Sequence, residues 1–339
     1  MAKDAPPTQK FAENDFAGGS TAIPQLSICI VNWNCADCLR KLLNSIRDYR
    51  DELELEVIVV DNASTDDSSA MVTAEFPEVH LLRHDRHEGL AKSNNQAAAL
   101  AQGRLLLFLN NDTIICPGTL ATLVRFLEDH PECSAVAPGL VHPDGKRQST
   151  IRKPLTFSAL LHRVKFLSWT GAFRAADRYR KQAHYDLTKS GYVDLLVGAA
   201  LLVRRRQFIA VGGWDEAFEF GLDDVDLATR LSCVGRMYYL ADAQVIHLGG
   251  VATKLDEYYT FGCIERAHIV YLRKHFGPWT ARVYKLLITI DAPIRVSILA
   301  LAWLGKYLFN DGARTARNFE KFVVSSQFLI RGMVEYWRA

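Results

Sequence analysis

Three polar residues, Asn110-Asn111-Asp112, close the apolar run Leu105–Leu109. A carboxylate beside two amides supplies oxygen donors suited to a hard divalent cation. Earlier in the chain a second apolar run, Val57–Val60, ends in Asp61-Asn62-Ala63-Ser64-Thr65-Asp66. Polar groups at the carboxyl ends of buried strands lie where open α/β sheets bind ligands. Two such ends predict one crevice for a nucleotide and its metal-bound diphosphate. Farther along stand the acids of Asp223-Asp224-Val225-Asp226, and then His247 ahead of Gly249-Gly250. Acids at a helix start serve as caps and dipole partners, and crowding can raise a carboxyl pKa towards the range of a general base. Spacing alone leaves open which of the three would do chemistry. A cation between Asp112 and His247 would neutralise charge on a departing diphosphate, and glycines after the histidine let a ligand approach closely.

The elements that must position these residues alternate in type. Leu26–Val31 reads as a buried strand, and Cys35–Tyr49 as a helix with Leu39, Leu42, Leu43 and Ile46 at helical spacing. Strands over Leu55–Val60, Val79–Leu82 and Arg104–Leu109 are separated by helices over Asp66–Phe76 and Leu90–Ala101, and Pro117–Asp129 fits a further helix. This alternation predicts an α/β protein with a mainly parallel, Rossmann-like sheet covered by helices on both faces. Arg152–Ser190 reads as helical with loops, and Asp194–Val203 as an apolar segment around Gly198. Gly212-Gly213-Trp214-Asp215-Glu216 is a glycine-rich loop, Asp224–Val234 a helix, and Met237–Leu240 and Gln244–Ile246 two short strands. Asn32-Trp33-Asn34-Cys35 stands where a dinucleotide fingerprint would follow the first strand, and no Walker A lysine motif occurs. Dehydrogenase and P-loop chemistry thereby lose their main support.

Of the 339 residues, 49% are hydrophobic and 23% charged, enough to bury a core, and the net charge of +2 argues against a generic nucleic-acid binder. The charge is uneven: from Arg266 onward twelve Lys and Arg face four Asp and Glu. Seven cysteines, an odd number without paired spacing, fit a reducing cytoplasm, and Cys35-Ala36-Asp37-Cys38 reads as ordinary helix. Residues 1–25 are polar and lack an apolar signal core, which predicts a loose tail. From about Leu255 the pattern is helical. Leu286–Leu304 is apolar but holds Asp291, Pro293 and Arg295, which favours a helix on a membrane surface or within a helical subdomain over a span. Trp279, Trp303 and Tyr307 beside Arg282, Lys285 and Lys306 suit an interfacial helix.

Taken in order, these strings resemble glycosyltransferase family 2, the inverting transferases of GT-A fold. The resemblance runs through Ser27–Asn34, Val59–Asp66, Gly89-Leu90-Ala91-Lys92-Ser93-Asn94-Asn95, Leu109–Asp112, Gly212–Glu216 and Asp223–Asp226. It implies a GT-A domain over 26–254, with a nucleotide-binding half to about 115 and an acceptor half from about 116. A basic helical region over 255–339 would follow, with contact to a membrane surface as its expected role. It also implies roles. Asp61 would bind base or ribose with Trp33 beside the base, and Val31, Asn62, Gly89, Asn95, Asn110 and Asn111 would complete the nucleotide site. Asp112 would hold Mg or Mn against the diphosphate, with His247 as a further ligand. Asp224 would be the general base, with Asp223 the other candidate, and Trp214 and Asp215 would lie near the acceptor. The sequence departs from the family pattern in two places. Asn110 opens the metal motif where relatives have Asp, and Asp223 stands where many have Glu. The Asn-x-Asp form with Asn-Trp-Asn looks most like the rhamnosyltransferase branch. That branch implies dTDP-L-rhamnose as donor, a polysaccharide or lipid-linked saccharide as acceptor, and a peripheral place at the inner face of the cytoplasmic membrane. The competing expectations are a transferase using a UDP- or GDP-sugar, or a non-catalytic nucleotide-sugar-binding scaffold on the same fold. The absence of several long apolar spans counts against a processive membrane-embedded synthase.

Overall fold

The computed structural model describes residues 23–50, 52–181, 185–249, 257–308 and 312–339. Most of the expected tail over 1–25, Gly250 and the expected boundary at 254/255 lie outside the described residues. The chain divides into two compact units. The first comprises Met1–Arg152, His184–Glu216 and Asp223–Ala252, and the second Lys153–Ala183, Ala217–Leu222 and Thr253–Ala339.

In chain order the first unit begins with β1 (Leu26–Asn32), α1 (Ala36–Asp48), β2 (Leu55–Asp61), α2 (Ser68–Glu75), β3 (His80–Arg83), α3 (Leu90–Leu100) and β4 (Leu105–Asn110). Then come β5 (Thr113–Ile115), α4 (Thr119–Asp129), β6 (Cys133–Val141), β7 (Arg147–Gln148) and β8 (Ile151–Arg152). Three short helices, α5 (Phe157–Leu161), α6 (Lys165–Trp169) and α7 (Arg174–Arg180), belong to the second unit. The chain returns to the first unit with β9 (Gly191–Val193), β10 (Leu195–Leu196), β11 (Ala200–Arg204), α8 (Arg205–Ala210), α9 (Asp223–Leu231) and β12 (Arg236–His247). The C-terminal helices are α10 (Glu257–Phe276), α11 (Pro278–Leu308), α12 (Gly312–Gln327) and α13 (Met333–Arg338).

Ten strands form the main sheet in the order β3-β2-β1-β4-β11-β6-β12-β5, with β7 on β6 and β9 on β12. The first four are parallel, as the alternating pattern predicts. β11 runs antiparallel between β4 and β6. Leu39, Leu42, Leu43 and Ile46 bury one face of α1, the stripe read from their spacing. Gly103 admits a close crossing, because a Cβ there would sit 2.6 Å from Ser27 Oγ and 2.7 Å from Ser27 N.

Local chemistry explains where element bounds shift from expectation. α2 starts at Ser68, after the Asp66 carboxylate, which accepts from Ser68 N (3.1 Å) and also from Ala36 N (3.0 Å) of α1. α4 starts at Thr119 because Gly118, at φ +70°, turns the chain out of helix after Pro117. The segment around Gly198 is two strands, broken where Gly198 takes φ +108°. The two short strands expected near 240 are one, β12, whose register on β6 jumps between Leu240↔Pro138 and Gln244↔Gly139.

In the second unit buried charges hold helices together. Arg163 Nη2 lies 2.9 Å from Glu265 Oε1, and Asp291, fully buried, accepts from Phe166 N at 3.0 Å and pairs with Arg295 at 3.1 Å. These bonds tie α5–α6 to the C-terminal helices. Asp291 and Arg295 interrupt the apolar run because they face protein. His268 is kept neutral, its pKa pushed down to about 3 by burial and by Arg163. Pro278–Leu304 is long and apolar enough to cross a membrane by length and composition, with a mean hydropathy of 1.7. Along α11, Trp279, Val283, Leu286 and Ile290 form an exposed stripe. The side chains of Lys306 and Tyr307 lie outside the described residues.

Candidate nucleotide-sugar site

β1 and β2 end level with each other, Asn32 against Asp61, and Val31 pairs with Asn110 of β4. This parallel register brings the three polar strand ends to one edge. Asp61 is 3% exposed. Its Oδ2 accepts from the Ser69 hydroxyl of α2, while Oδ1 is buried with no partner among the described residues. An unpaired buried acceptor costs about 1–3 kcal/mol, so this oxygen is suited to an N–H or O–H donor from a ligand. Trp33 is partly buried and meets His87 edge-on at 5.1 Å. Asn34, at φ +48°, accepts from Thr65 N at 2.7 Å and so ties the loops after β1 and β2 together.

Several amides singled out in the sequence are bonded within the protein. Asn62 Oδ1 accepts from Glu88 N at 2.8 Å and lies 3.1 Å from His84 Nδ1, fixing the approach to Gly89, which opens α3 at φ +83°. Asn111 Nδ2 donates to Asn32 Oδ1 at 2.8 Å. Asn95 grips the glycine-rich loop: its Oδ1 accepts from Trp214 N, and its Nδ2 donates to Trp214 O and Glu216 Oε1, each at 2.9 Å. Trp214 is buried edge-on against Phe108, its Nε1 unpartnered among the described residues, while Asp215 is partly exposed.

Asp112 and His247 meet because β5 pairs with β12, setting Thr113 opposite His247, and because Leu248 N donates to Asp112 O at 3.0 Å. The carboxylate Oδ1 and the ring Nε2 face each other at 3.3 Å. The hard carboxylate oxygen is a donor that suits Mn or Mg, and the imidazole nitrogen is a borderline donor that a transition metal such as Mn accepts. No group of three or more His, Cys, Asp or Glu able to hold a metal gathers among the described residues.

The three acids of α9 separate by environment. Asp226, fully buried, pairs with Arg230 at 2.6 Å, and Arg230 also donates to the carbonyls of Val211 (2.7 Å) and Gly213 (2.6 Å). That acid braces the glycine-rich loop. Asp223 is 5% exposed. Asp224 accepts from Gly198 N at 3.0 Å and Val225 N at 2.7 Å. Burial raises its pKa above the usual carboxylate range, against those backbone donors and the Arg152 charge, which pull it down. Desolvation therefore does what mutual repulsion of the acids was expected to do. Asp224 is tied to the β4 end, since Gly198 holds the acid while Ala199 O accepts from Asn110 N at 2.9 Å.

Residues 27–188 match the sequence profile described as Glycosyl transferase family 2. The chain carries a glycosyl transferase family 2 domain. It is 26% identical over 276 residues to the N-acetylglucosaminyl-diphospho-decaprenol L-rhamnosyltransferase of Mycobacterium tuberculosis, covering 76% of this chain and 87% of that one. It is 29% identical over 243 residues to the O-antigen biosynthesis protein RfbC of Myxococcus xanthus, covering 69% of this chain but only 18% of that longer protein. The family 2 domain has the GT-A fold. A mannosyltransferase from Pyrobaculum calidifontis, in complex with GDP-Man and Mn2+, superposes with a TM-score of 0.53 at 19% identity, covering 97% of this chain and 92% of that one. GalNAc-T7, with UDP, GalNAc and Mn2+, gives 0.51 at 16% identity, covering 66% of this chain and 43% of that one.

Sequence reasoning missed several residues around the site of this domain. Ser69 holds Asp61, Arg152 opposes the pKa rise of Asp224, and Gln148 holds His247. Ser69 is the second residue of α2, whose start lies two residues past the one read from the sequence. Gln148 and Arg152 lie on two-residue strands with no periodic pattern to mark them.

Proposed function

We propose that this protein is an inverting glycosyltransferase that moves L-rhamnose from dTDP-L-rhamnose to a hydroxyl of a polysaccharide or lipid-linked saccharide acceptor. The observation that carries the reading is Asp224. It is a carboxylate with a raised pKa, bonded to the residue next to the one that anchors the β4 end. Such a group takes a proton from the acceptor hydroxyl as its oxygen attacks the anomeric carbon on the face opposite the diphosphate. One displacement inverts that centre and needs one base. Asp61 Oδ1 accepts a donor from the base or ribose, and Trp33 flanks the base. Trp214 and Asp215, held by Asn95, border the acceptor. Asp112 and His247 would hold Mg or Mn, which when bound supplies positive charge to the leaving diphosphate. The rhamnosyltransferase relative, by its name, supports the sugar and a lipid-linked acceptor. The apolar stripe of α11 supports peripheral contact with the inner face of the cytoplasmic membrane.

The test is release of nucleoside diphosphate from UDP-, dTDP- and GDP-sugars with Mg, Mn or EDTA. The expected result is metal-dependent release from dTDP-L-rhamnose, falling about 10²–10⁴-fold in Asp224→Asn with dTDP binding intact. Release from a UDP- or GDP-sugar instead would change the donor. Nucleotide binding with no turnover by the wild type and any acceptor would make the chain a scaffold.

A further inference from the structure

We infer that Gln148 is the positioning residue of the cation site, locking the His247 ring with its proton on Nδ1 so that the Nε2 lone pair faces Asp112. The inference rests on the reading of Asp112 and His247 as metal ligands. Gln148 lies on β7, carried there by the hairpin His142-Pro143-Asp144-Gly145, in which His142 N donates to Lys146 O at 2.7 Å and Gly145 N to His142 O at 2.8 Å. β7 pairs back onto β6, Gln148 beside Leu140, while β12 pairs with β6 from Val245 to Leu140. The amide reaches past the end of β6 to His247.

The hydrogen bonds there fix the amide and the Nδ1 proton. The carbonyl oxygen of His247 can only accept, and Gln148 places an amide atom 2.7 Å from it, so that atom is the nitrogen Nε2. The second N–H of the same nitrogen points to His142 Nδ1 at 2.9 Å, which therefore accepts. The remaining amide atom, Oε1, is an acceptor, and it lies 2.7 Å from His247 Nδ1. That ring nitrogen must therefore carry hydrogen. In the neutral ring Nε2 is then bare, and it faces the Asp112 carboxylate at 3.3 Å. Two acceptors opposed at that distance repel unless a proton or a metal ion lies between them. Both donors of the amide and its acceptor are engaged, so the side chain cannot flip without losing all three bonds. Metal-ligating histidines are commonly held in this way, through the nitrogen away from the metal.

The test has a readout that does not depend on turnover. Metal-free wild-type protein, with its histidines labelled with 15N, is expected to show the Nδ1–H form of His247. Gln148→Leu is expected to shift that ring to the Nε2–H form, whose proton would lie against Asp112. Mn2+ binding in the presence of dTDP, followed by electron paramagnetic resonance, is expected to weaken about 10–100-fold in Gln148→Leu. Gln148→Glu keeps an acceptor for Nδ1–H but sets its other oxygen against His247 O, and is expected to hold Mn2+ more tightly than Gln148→Leu, though below wild type. A merely structural role for the amide would give no such rescue. An Nε2–H ring in wild type would overturn the proposal. So would wild-type Mn2+ affinity in Gln148→Leu alongside lost affinity in Asp112→Ala. Unchanged Mn2+ affinity in Asp112→Ala itself would instead remove the metal-site reading, and this inference with it.

Discussion

Asn95→Ala tests how the first unit holds its glycine-rich loop. Asn95 is 4% exposed and makes three bonds of 2.9 Å to a loop more than a hundred residues away in sequence. Truncation leaves the backbone N–H and C=O of Trp214 without partners next to a side chain that is 6% exposed. Each orphaned buried group costs about 1–3 kcal/mol, so the expected loss is about 2–6 kcal/mol, with the bond to exposed Glu216 adding little. At about 2–4 °C per kcal/mol for a unit of this size, calorimetry should record a drop of at least about 4 °C in the transition of the first unit. The Km for acceptor should rise while dTDP affinity holds, because the loop carrying Trp214 and Asp215 is released and Asp61 is untouched. Asn95→Asp sharpens the test. It keeps the acceptor for Trp214 N but sets a carboxylate against Trp214 O and Glu216. Its folded-state pKa is then raised, so its stability should recover as pH falls through that value. A loss below about 1 kcal/mol in Asn95→Ala, or an Asn95→Asp variant indifferent to pH, would refute the claim that this amide holds the loop.

Four further outcomes are expected. The kcat of the wild type should fall as pH drops through the raised pKa of Asp224, and this limb should be absent in Asp224→Asn. For the same group, ionisation in the folded state is disfavoured, so its contribution to stability is fully present below the ordinary carboxylate pKa and lost as pH rises through the folded one. Asp224→Asn should therefore lose this pH dependence of stability in urea unfolding. Arg230→Ala leaves the fully buried Asp226 without its 2.6 Å ion pair and frees two loop carbonyls, and urea unfolding should show a loss of about 3–5 kcal/mol. Replacing Trp279, Leu286 and Ile290 by Ser removes three exposed apolar side chains from one face of α11. Flotation with anionic vesicles should show at least about tenfold weaker binding, given about 1.5–3 kcal/mol for each such side chain fully buried. Unchanged flotation would end the membrane-surface reading.

What the sequence revealed depended on the range of the forces involved. The strands at 26, 55 and 105 and the helix bearing Leu39, Leu42, Leu43 and Ile46 were legible because burial imprints a period. The polar strand ends were legible because a parallel sheet sends its carboxyl ends to one edge. Separate tasks for Asp223, Asp224 and Asp226 were not, because they depend on Gly198 and Arg230 and on how much protein encloses each carboxyl. The side chains of Asn62, Asn95 and Asn111 suggested ligand contacts, yet their partners in the fold are Glu88, Trp214 and Asn32. An amide carries no mark of whether it faces ligand or scaffold. The break in β12 was visible as two runs, but their continuity across Ala241–Ala243 is set by β6, which no local pattern records.

The extra residues Ala241–Ala243 have a consequence for how this chain can vary in length. β12 advances four residues, from Leu240 to Gln244, while its partner advances one, from Pro138 to Gly139. The bulge separates the register of the half paired with β9 from that of the half ending at His247. An insertion or deletion within 241–243 can be absorbed there, whereas one between 244 and 247 would turn the imidazole to the opposite face of the sheet. A chimera of this strand should therefore be spliced at Asp242, the exposed residue between the buried Ala241 and Ala243.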